Sequence, residues 1–326
     1  MRLSTALTGG FPRTRRFASF VRKYEKGEAS REELKRVALE QILKVYERLA
    51  GRLPDYITDG MYLCDDILNP FIRDITGVEI GGLVRFYENN FFVRQPVVVG
   101  DIRLSESPTH TLERLEIALR LKEKLNREVR LPFPGPATFA DFSLITNNSP
   151  YSTRRELMES YIEVVLLPLI KLLKAEGAIL ELEDPSLPRL SNEELRAYVE
   201  KMQSLSKSEL LRIHLIVYFN GVPKVVAERL GEVLTLGLDL VEAPQSISAV
   251  LGPPLKSIQL GVINARTTLL EEVKPTSDRI KSAIRSLAGV ERVLLSTNTT
   301  LEFLPERIAF KKLKVLHDVK HLLEEW

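Results

Sequence analysis

The 326-residue chain has one cysteine, Cys64, one tryptophan and four histidines. A lone thiol cannot close a disulfide within the chain, and it excludes a zinc site built from several thiolates. No run of about 18 apolar residues is present to span a bilayer, and the stretch "MRLSTALTGGFPRTRR" lacks the continuous apolar core of a secretory signal. Charge of one sign is also missing: 46 basic and 44 acidic residues are interspersed for a net charge of +2, which provides no basic arm for nucleic acid. The expectation is a cytoplasmic protein with neither nucleic-acid nor membrane partners. There is no P-loop, GxSxG elbow, CxxC pair, HExxH helix or Rossmann GxGxxG. No Pro/Gly/Ser-rich linker interrupts the chain, so residues 1–326 are expected to form one domain. Abundant Glu, Arg and Lys with little Cys and Met fits a heat-adapted protein.

What is present is alternation. Short β-rich runs occur at 3–8, 55–58, 127–133, 178–183, 213–219, 237–242, 257–263 and 292–297, and most precede a segment with apolar residues at helical spacing. Helices are expected at 30–50, 109–126, 153–176, 191–207, 223–234, 275–288 and 305–324. Capping boxes at Ser30/Glu33 and Ser191/Glu194 open two of them. Eight such units predict an α/β fold, a single (β/α)8 TIM barrel, with an open doubly wound sheet as the alternative. Residues 79–101, "EIGGLVRFYENNFFVRQPVVVGD", read as an inserted β-hairpin turning at Asn89-Asn90. Its aromatic residues Phe86, Tyr87, Phe91 and Phe92 either pack on the barrel or form a contact surface.

In such a barrel the functional groups stand at the C-terminal strand ends. Those positions hold Gly9, Gly10 and Arg13; Asp59 and Gly60; Gly135 and Thr138; Glu183 and Asp184; Tyr218 and Asn220; Glu242; Asn264 and Arg266; Asn298 and Thr299. The glycines also suit tight turns. Alternation of side chains along a strand lets one of Glu183 and Asp184 face the mouth, and Glu183 is equally placed to pair with Arg189. His214 reads as a core histidine, His110 as a loop or cap residue, and His317/His321 as a solvated helix face. The residues alone point to a polar mouth suited to a small anionic or zwitterionic ligand.

Read as a set, these strand ends carry a resemblance. "ALTGGFPRTRRF" followed by "YEKGEASREEL" resembles the opening of cobalamin-independent methionine synthases. The segments "TDGMYLCDDILNPF", "LPFPGPATF", "LELEDPSL", "RIHLIVYFNG", "LGVINARTTLLE" and "STNTTLEFLP" follow in the same order. That family pairs a zinc- and homocysteine-binding barrel with a second, folate-side barrel, and this chain is similar in length to one of them. The resemblance puts the zinc ligands at Met61, Ile216, Tyr218 and Thr299, none of which is the family's residue. It also puts Glu183 in place of the aspartate that holds the amino group of homocysteine, and Gly10 in place of a serine that contacts the amino acid.

The resemblance therefore implies methionine biosynthesis by a split enzyme. This chain would be the N-terminal-type barrel, binding no zinc, and a separate zinc-bearing methionine synthase barrel would be its partner. Homocysteine and a methylated tetrahydropterin are the implied substrates. Glu183 and Tyr218 are the candidate catalytic residues. Gly9, Gly10, Arg13, Asp59, Thr138, Asp184, Asn220, Glu242, Asn264, Arg266 and Asn298 are the candidate binding residues, with Arg13 facing a carboxylate such as a polyglutamyl pterin tail. The alternatives are an autonomous zinc-independent or corrinoid-dependent methyltransferase and a non-catalytic pterin- or amino-acid-binding barrel.

Overall fold

A computed structural model describes residues 1–87, 91–287 and 289–325. Eleven strands are formed among them: β1 (Arg2–Ala6), β2 (Tyr56–Thr58), β3 (Ile75–Arg85), β4 (Phe92–Leu104), β5 (Glu128–Pro134), β6 (Leu144–Ile145), β7 (Ile179–Glu183), β8 (Ile213–Val217), β9 (Thr235–Asp239), β10 (Ser257–Ile263) and β11 (Arg292–Thr297). Eight of them close into a barrel in the order β1-β11-β10-β9-β8-β7-β5-β2, and every pairing around the ring is parallel. The expected TIM barrel is thus the observed one, and all eight expected strands lie in it. Among the described residues no helix is long and apolar enough to cross a membrane.

Local chemistry explains where the elements begin and end. Both expected capping boxes are made, at Ser30 with Glu33 and at Ser191 with Glu194. The expected helix 153–176 is divided by a wide turn at Ile162–Leu166. Pro168, two residues beyond that turn, has no amide hydrogen for the regular ladder. The expected strand 237–242 is corrected to Thr235–Asp239. Asp239 ends it by accepting hydrogen bonds from the amides of Val241 and Glu242, both at 2.9 Å.

β3 and β4 form the expected antiparallel hairpin, longer than 79–101, and short β6 adds to β4 in parallel. The turn expected at Asn89-Asn90 lies outside the described residues. This side sheet leans over the C-terminal end of the barrel. Phe86 is buried, whereas Phe92 is exposed.

The bore is closed by polar groups rather than by hydrocarbon alone. Arg130 on β5 and Glu181 on β7 form an ion pair at 2.8 Å, with neither side chain reaching solvent. Arg130 also donates to Gln259 Oε1 (2.6 Å), to His214 Nδ1 (3.1 Å) and to the Leu7 carbonyl. Gln259 passes its amide hydrogens to Thr8 and Ser296. Glu181 Oε1 accepts the amide of Gly9 at 2.6 Å. Burial pushes the Glu181 carboxyl up and the Arg130 guanidinium down, and their contact opposes both.

Candidate functional site

Strand alternation places Glu181 and Glu183 on the same inward face of β7, one layer apart. Glu183 is the upper of the two. Tyr218, just beyond the end of β8, donates its hydroxyl to Glu183 Oε2 at 2.8 Å, while Glu183 Oε1 is buried without a hydrogen-bond partner. Burial, and then the charge of Glu181, push the Glu183 carboxyl up to about 8. Burial likewise holds the Tyr218 phenol well above its ordinary range, so the tyrosine stays the donor. A carboxyl that changes charge near neutrality, with one oxygen unpartnered at a barrel mouth, has the chemistry of a general acid or base.

A ladder of rings runs across the mouth above this pair. Phe303, in the loop after β11, stacks on Phe91 at 4.5 Å. Phe91 meets Phe86 at 5.1 Å, and Phe86 meets Tyr87 at 4.7 Å. Tyr87 lies 5.5 Å from Phe219, which lies 4.6 Å from Tyr218. The Tyr87 hydroxyl also meets Ser186 Oγ at 2.5 Å. Met61, Tyr87 and Phe219 all hold positive φ, at 54°, 54° and 69°. Such backbone costs a non-glycine residue about 1–3 kcal/mol and gathers at working sites.

The ladder separates two openings. One, of about 650 Å³, lies over β1, β2 and β11 and is lined by Arg13, Met61, Cys64, Glu302 and Phe303 among others. Glu302 is pushed up to about 7 by burial, against the opposing charge of Arg13. The other opening, of about 800 Å³, lies over β5 and β7–β10 and contains Arg85, Asp141, Arg189, Asn220, Glu242 and Arg266. Arg266 pairs with Glu242 at 3.2 Å and covers the Phe219 ring.

The expected residues divide accordingly. Arg13, Asn220, Glu242 and Arg266 line the openings, and Glu183 and Tyr218 lie beneath the ladder. A Cβ on Gly9 would meet Thr300 Cβ at 2.8 Å and Glu183 Oε1 at 3.1 Å. A Cβ on Gly10 would come within 2.3 Å of Glu302 Oε2. Five other residues are engaged by the fold itself. Asp59 is forked by buried Arg114 at 2.7 and 3.2 Å. Asp184 accepts from Ala137 and from both the amide and the hydroxyl of Thr138, capping the helix Pro136–Phe142. Asn298 bridges Ala265 and Asp239, and Asn264 accepts the amide of Arg266.

The alternative pairing of Glu183 with Arg189 is corrected: Arg189 bonds Asp141 at 3.0 Å. Sequence reasoning missed Glu302, Arg85, Asp141 and the Arg130–Glu181 pair. A signal for that pair was present in an arginine inside the apolar run "VRLPF" and a glutamate two residues before Glu183.

The residues at the four zinc positions implied by the resemblance do not fit that metal. Met61 supplies a thioether, Ile216 is hydrocarbon, Tyr218 directs its hydroxyl to Glu183, and Thr299 is a buried alcohol. Zinc takes thiolate, imidazole or carboxylate. Among the described residues no group of three or more His, Cys, Asp or Glu side chains is arranged to hold a metal ion.

No family model matches the chain. Curated relatives match it nearly end to end. It is 21% identical over 316 residues to a protein named methionine synthase from Sulfurisphaera tokodaii, covering 95% of this chain and 89% of the relative. A methionine synthase from Saccharolobus solfataricus is 22% identical over 319 residues, covering 95% and 92%. The chain is thus similar, nearly end to end, to proteins named methionine synthase. Its barrel superposes on the B12-independent methionine synthase of Shewanella sp. W3-18-1, solved with selenomethionine, with a TM-score of 0.73 at 16% identity, covering 100% of this chain and 98% of the other. A putative vitamin-B12-independent methionine synthase from Listeria monocytogenes gives 0.73 at 20% identity, covering 100% and 99%. The chain therefore shares its barrel fold with those structures, and its curated relatives are also of single-barrel length.

Proposed function

We propose that this chain serves methionine biosynthesis as the barrel of a split synthase that carries no zinc, working beside a separately encoded barrel that holds the metal. Its role is to bind and orient a methylated tetrahydropterin, and to complete the setting in which homocysteine sulfur attacks the methyl carbon as the carbon–nitrogen bond to the pterin breaks. The carrying observation is the replacement of all four zinc positions within an otherwise complete, polar barrel mouth. Arg13, exposed in the opening over β1 and β11, suits an anionic pterin tail. The test is reconstitution with a zinc-bearing barrel, methylated pterin and homocysteine. Methionine should form only when both chains are present, and full turnover by this chain alone would overturn the reading.

One observation favours a second reading, an autonomous methyltransferase that needs no zinc. A Glu183 carboxyl near 8 is matched to a thiol near 8.5, so Glu183 could accept the thiol proton that zinc would otherwise displace. Turnover without a partner chain, lost in Glu183→Gln, would establish it.

A further inference from the structure

The opposite, N-terminal end of the barrel holds an unassigned cavity of about 520 Å³, walled by the first residues of β1 and of β7 through β11. Alternation from Ser4, Glu181, His214, Gln259 and Ser296 turns Arg2, Arg212 and Arg292 toward the bore, and Lys256 stands beside them. None of these four cations forms an ion pair among the described residues. Arg212 Nε is buried without any partner, and Arg292 reaches only the Tyr56 hydroxyl, at 3.2 Å. Glu232 and Glu291 also line the cavity, leaving cations in excess by two.

His214 forms part of the lining although it is 97% buried, with 3% of its surface exposed. Its Nδ1 faces an Arg130 nitrogen at 3.1 Å. A guanidinium can only donate, so Nδ1 must accept, and the imidazole proton belongs to Nε2. Burial, then the charges of Arg130, Arg292 and Arg212, push the histidine well below its ordinary range. The ring is therefore neutral and presents one N–H donor to a basic, partly desolvated hollow. The Thr235 hydroxyl donates to Ser257 Oγ at 3.0 Å, which leaves the Ser257 hydroxyl as a further donor at its edge.

We propose that this hollow is a binding site for a multiply charged oxyanion of the phosphate class, held by Arg2, Arg212, Arg292 and Lys256 with the Nε2–H of His214 at its floor. Several converging cations favour a diphosphate over a single carboxylate, because each adds a charge-assisted bond to a different oxygen. A ligand here lies at the far end of the barrel from Glu183, so the proposal stands independently of the catalytic reading.

The test is calorimetric titration of the whole chain with inorganic pyrophosphate, inorganic phosphate and ATP, followed in parallel by the His214 ring nitrogen resonances. The expected result is saturable one-to-one binding, pyrophosphate tighter than phosphate, with a shift at Nε2. Tighter binding of ATP would identify a nucleotide as the bearer of the diphosphate, and pyrophosphate as the tighter ligand would identify the free oxyanion. Arg212→Gln should weaken binding at least about tenfold, and Lys256→Gln, at the rim, should weaken it more modestly without touching the fold. No saturable binding, an unmoved His214 resonance, or undiminished affinity in Lys256→Gln would overturn the proposal.

Discussion

Tyr218 and Glu183, joined at 2.8 Å, occupy two places that the family resemblance assigns to a zinc-binding cysteine and to an aspartate that holds an amino group. A phenol and a carboxyl thus satisfy each other where the family pattern puts a metal ligand and a substrate ligand. The pair is buried, and burial, then the charge of Glu181, pushes the Glu183 carboxyl up.

This sets a pH dependence of stability. Glu183 is pushed up from 4.5 to about 8, Glu302 to about 7 and Asp184 to about 6. Between the ordinary carboxyl range and these values the native state holds protons that the unfolded chain has released. The stabilisation is fully present below about pH 4.5 and is lost as pH rises through each native value. Urea midpoints should therefore fall from about pH 5 to pH 8.5. Glu183→Gln should flatten the decline and be at least as stable as the parent at the upper end. Midpoints that climb steadily over this range would contradict the assignment.

Gly10 and Glu302 form a second reciprocal fit. A Cβ at position 10 would meet Glu302 Oε2 at 2.3 Å and its Cβ at 3.3 Å. Gly10→Ser, which installs the residue the family pattern calls for, should cost about 1–3 kcal/mol by overpacking. Adding Glu302→Ala should restore most of it. Denaturant unfolding of the four forms reads the coupling directly, and strictly additive losses would mean that the two sites do not compete for space.

Inside the bore, removing one partner of the Arg130–Glu181 pair strands the other. Arg130→Met should destabilise the barrel by about 3–5 kcal/mol, because Glu181 keeps only the Gly9 amide. Glu181→Gln should be milder, since the amide oxygen keeps one of the two bonds that the separate carboxylate oxygens make to Gly9 and Arg130. Equal losses in the two variants would show that the charge is immaterial.

Cys64 offers a simple check on metal chemistry. Its thiol is buried and pushed up to about 12 by that burial, so thiolate is scarce near neutrality. Disulfide-exchange reagents should label it orders of magnitude more slowly in native protein than in denaturant. Elemental analysis after metal-replete expression should find no stoichiometric zinc. One tightly held zinc per chain, with Cys64 protected only while it is bound, would reveal a ligand set outside the family pattern.

The barrel was legible because eight short β-rich runs alternate with segments of mostly helical periodicity, and side-chain caps at Ser30, Thr153 and Ser191 mark the start of some of the helices. The helix Arg15–Glu25 was missed although Phe17, Phe20, Val21 and Tyr24 recur at helical spacing, with Phe17 buried and the other three packed against the core. The helix Pro136–Phe142 was hidden by its proline, which sits at the first helical turn and looks like a strand end. At the site, strand ends named Glu183 and Tyr218, because position along a strand decides their facing, and Arg13 was named from the loop that follows β1. Glu302 and the ring ladder were invisible, since they depend on loops brought together only by closure of β1 on β11 and by the fold of the hairpin over the mouth.

The ladder from Phe303 to Phe219 has a kinetic meaning. One opening belongs to the sector of β11, β1 and β2, the other to the sector from β5 round to β10. Two small molecules using them would not pass each other on the way in. For a pair of substrates so divided, the architecture imposes no queue, and steady-state rates should show random rather than compulsory order of addition.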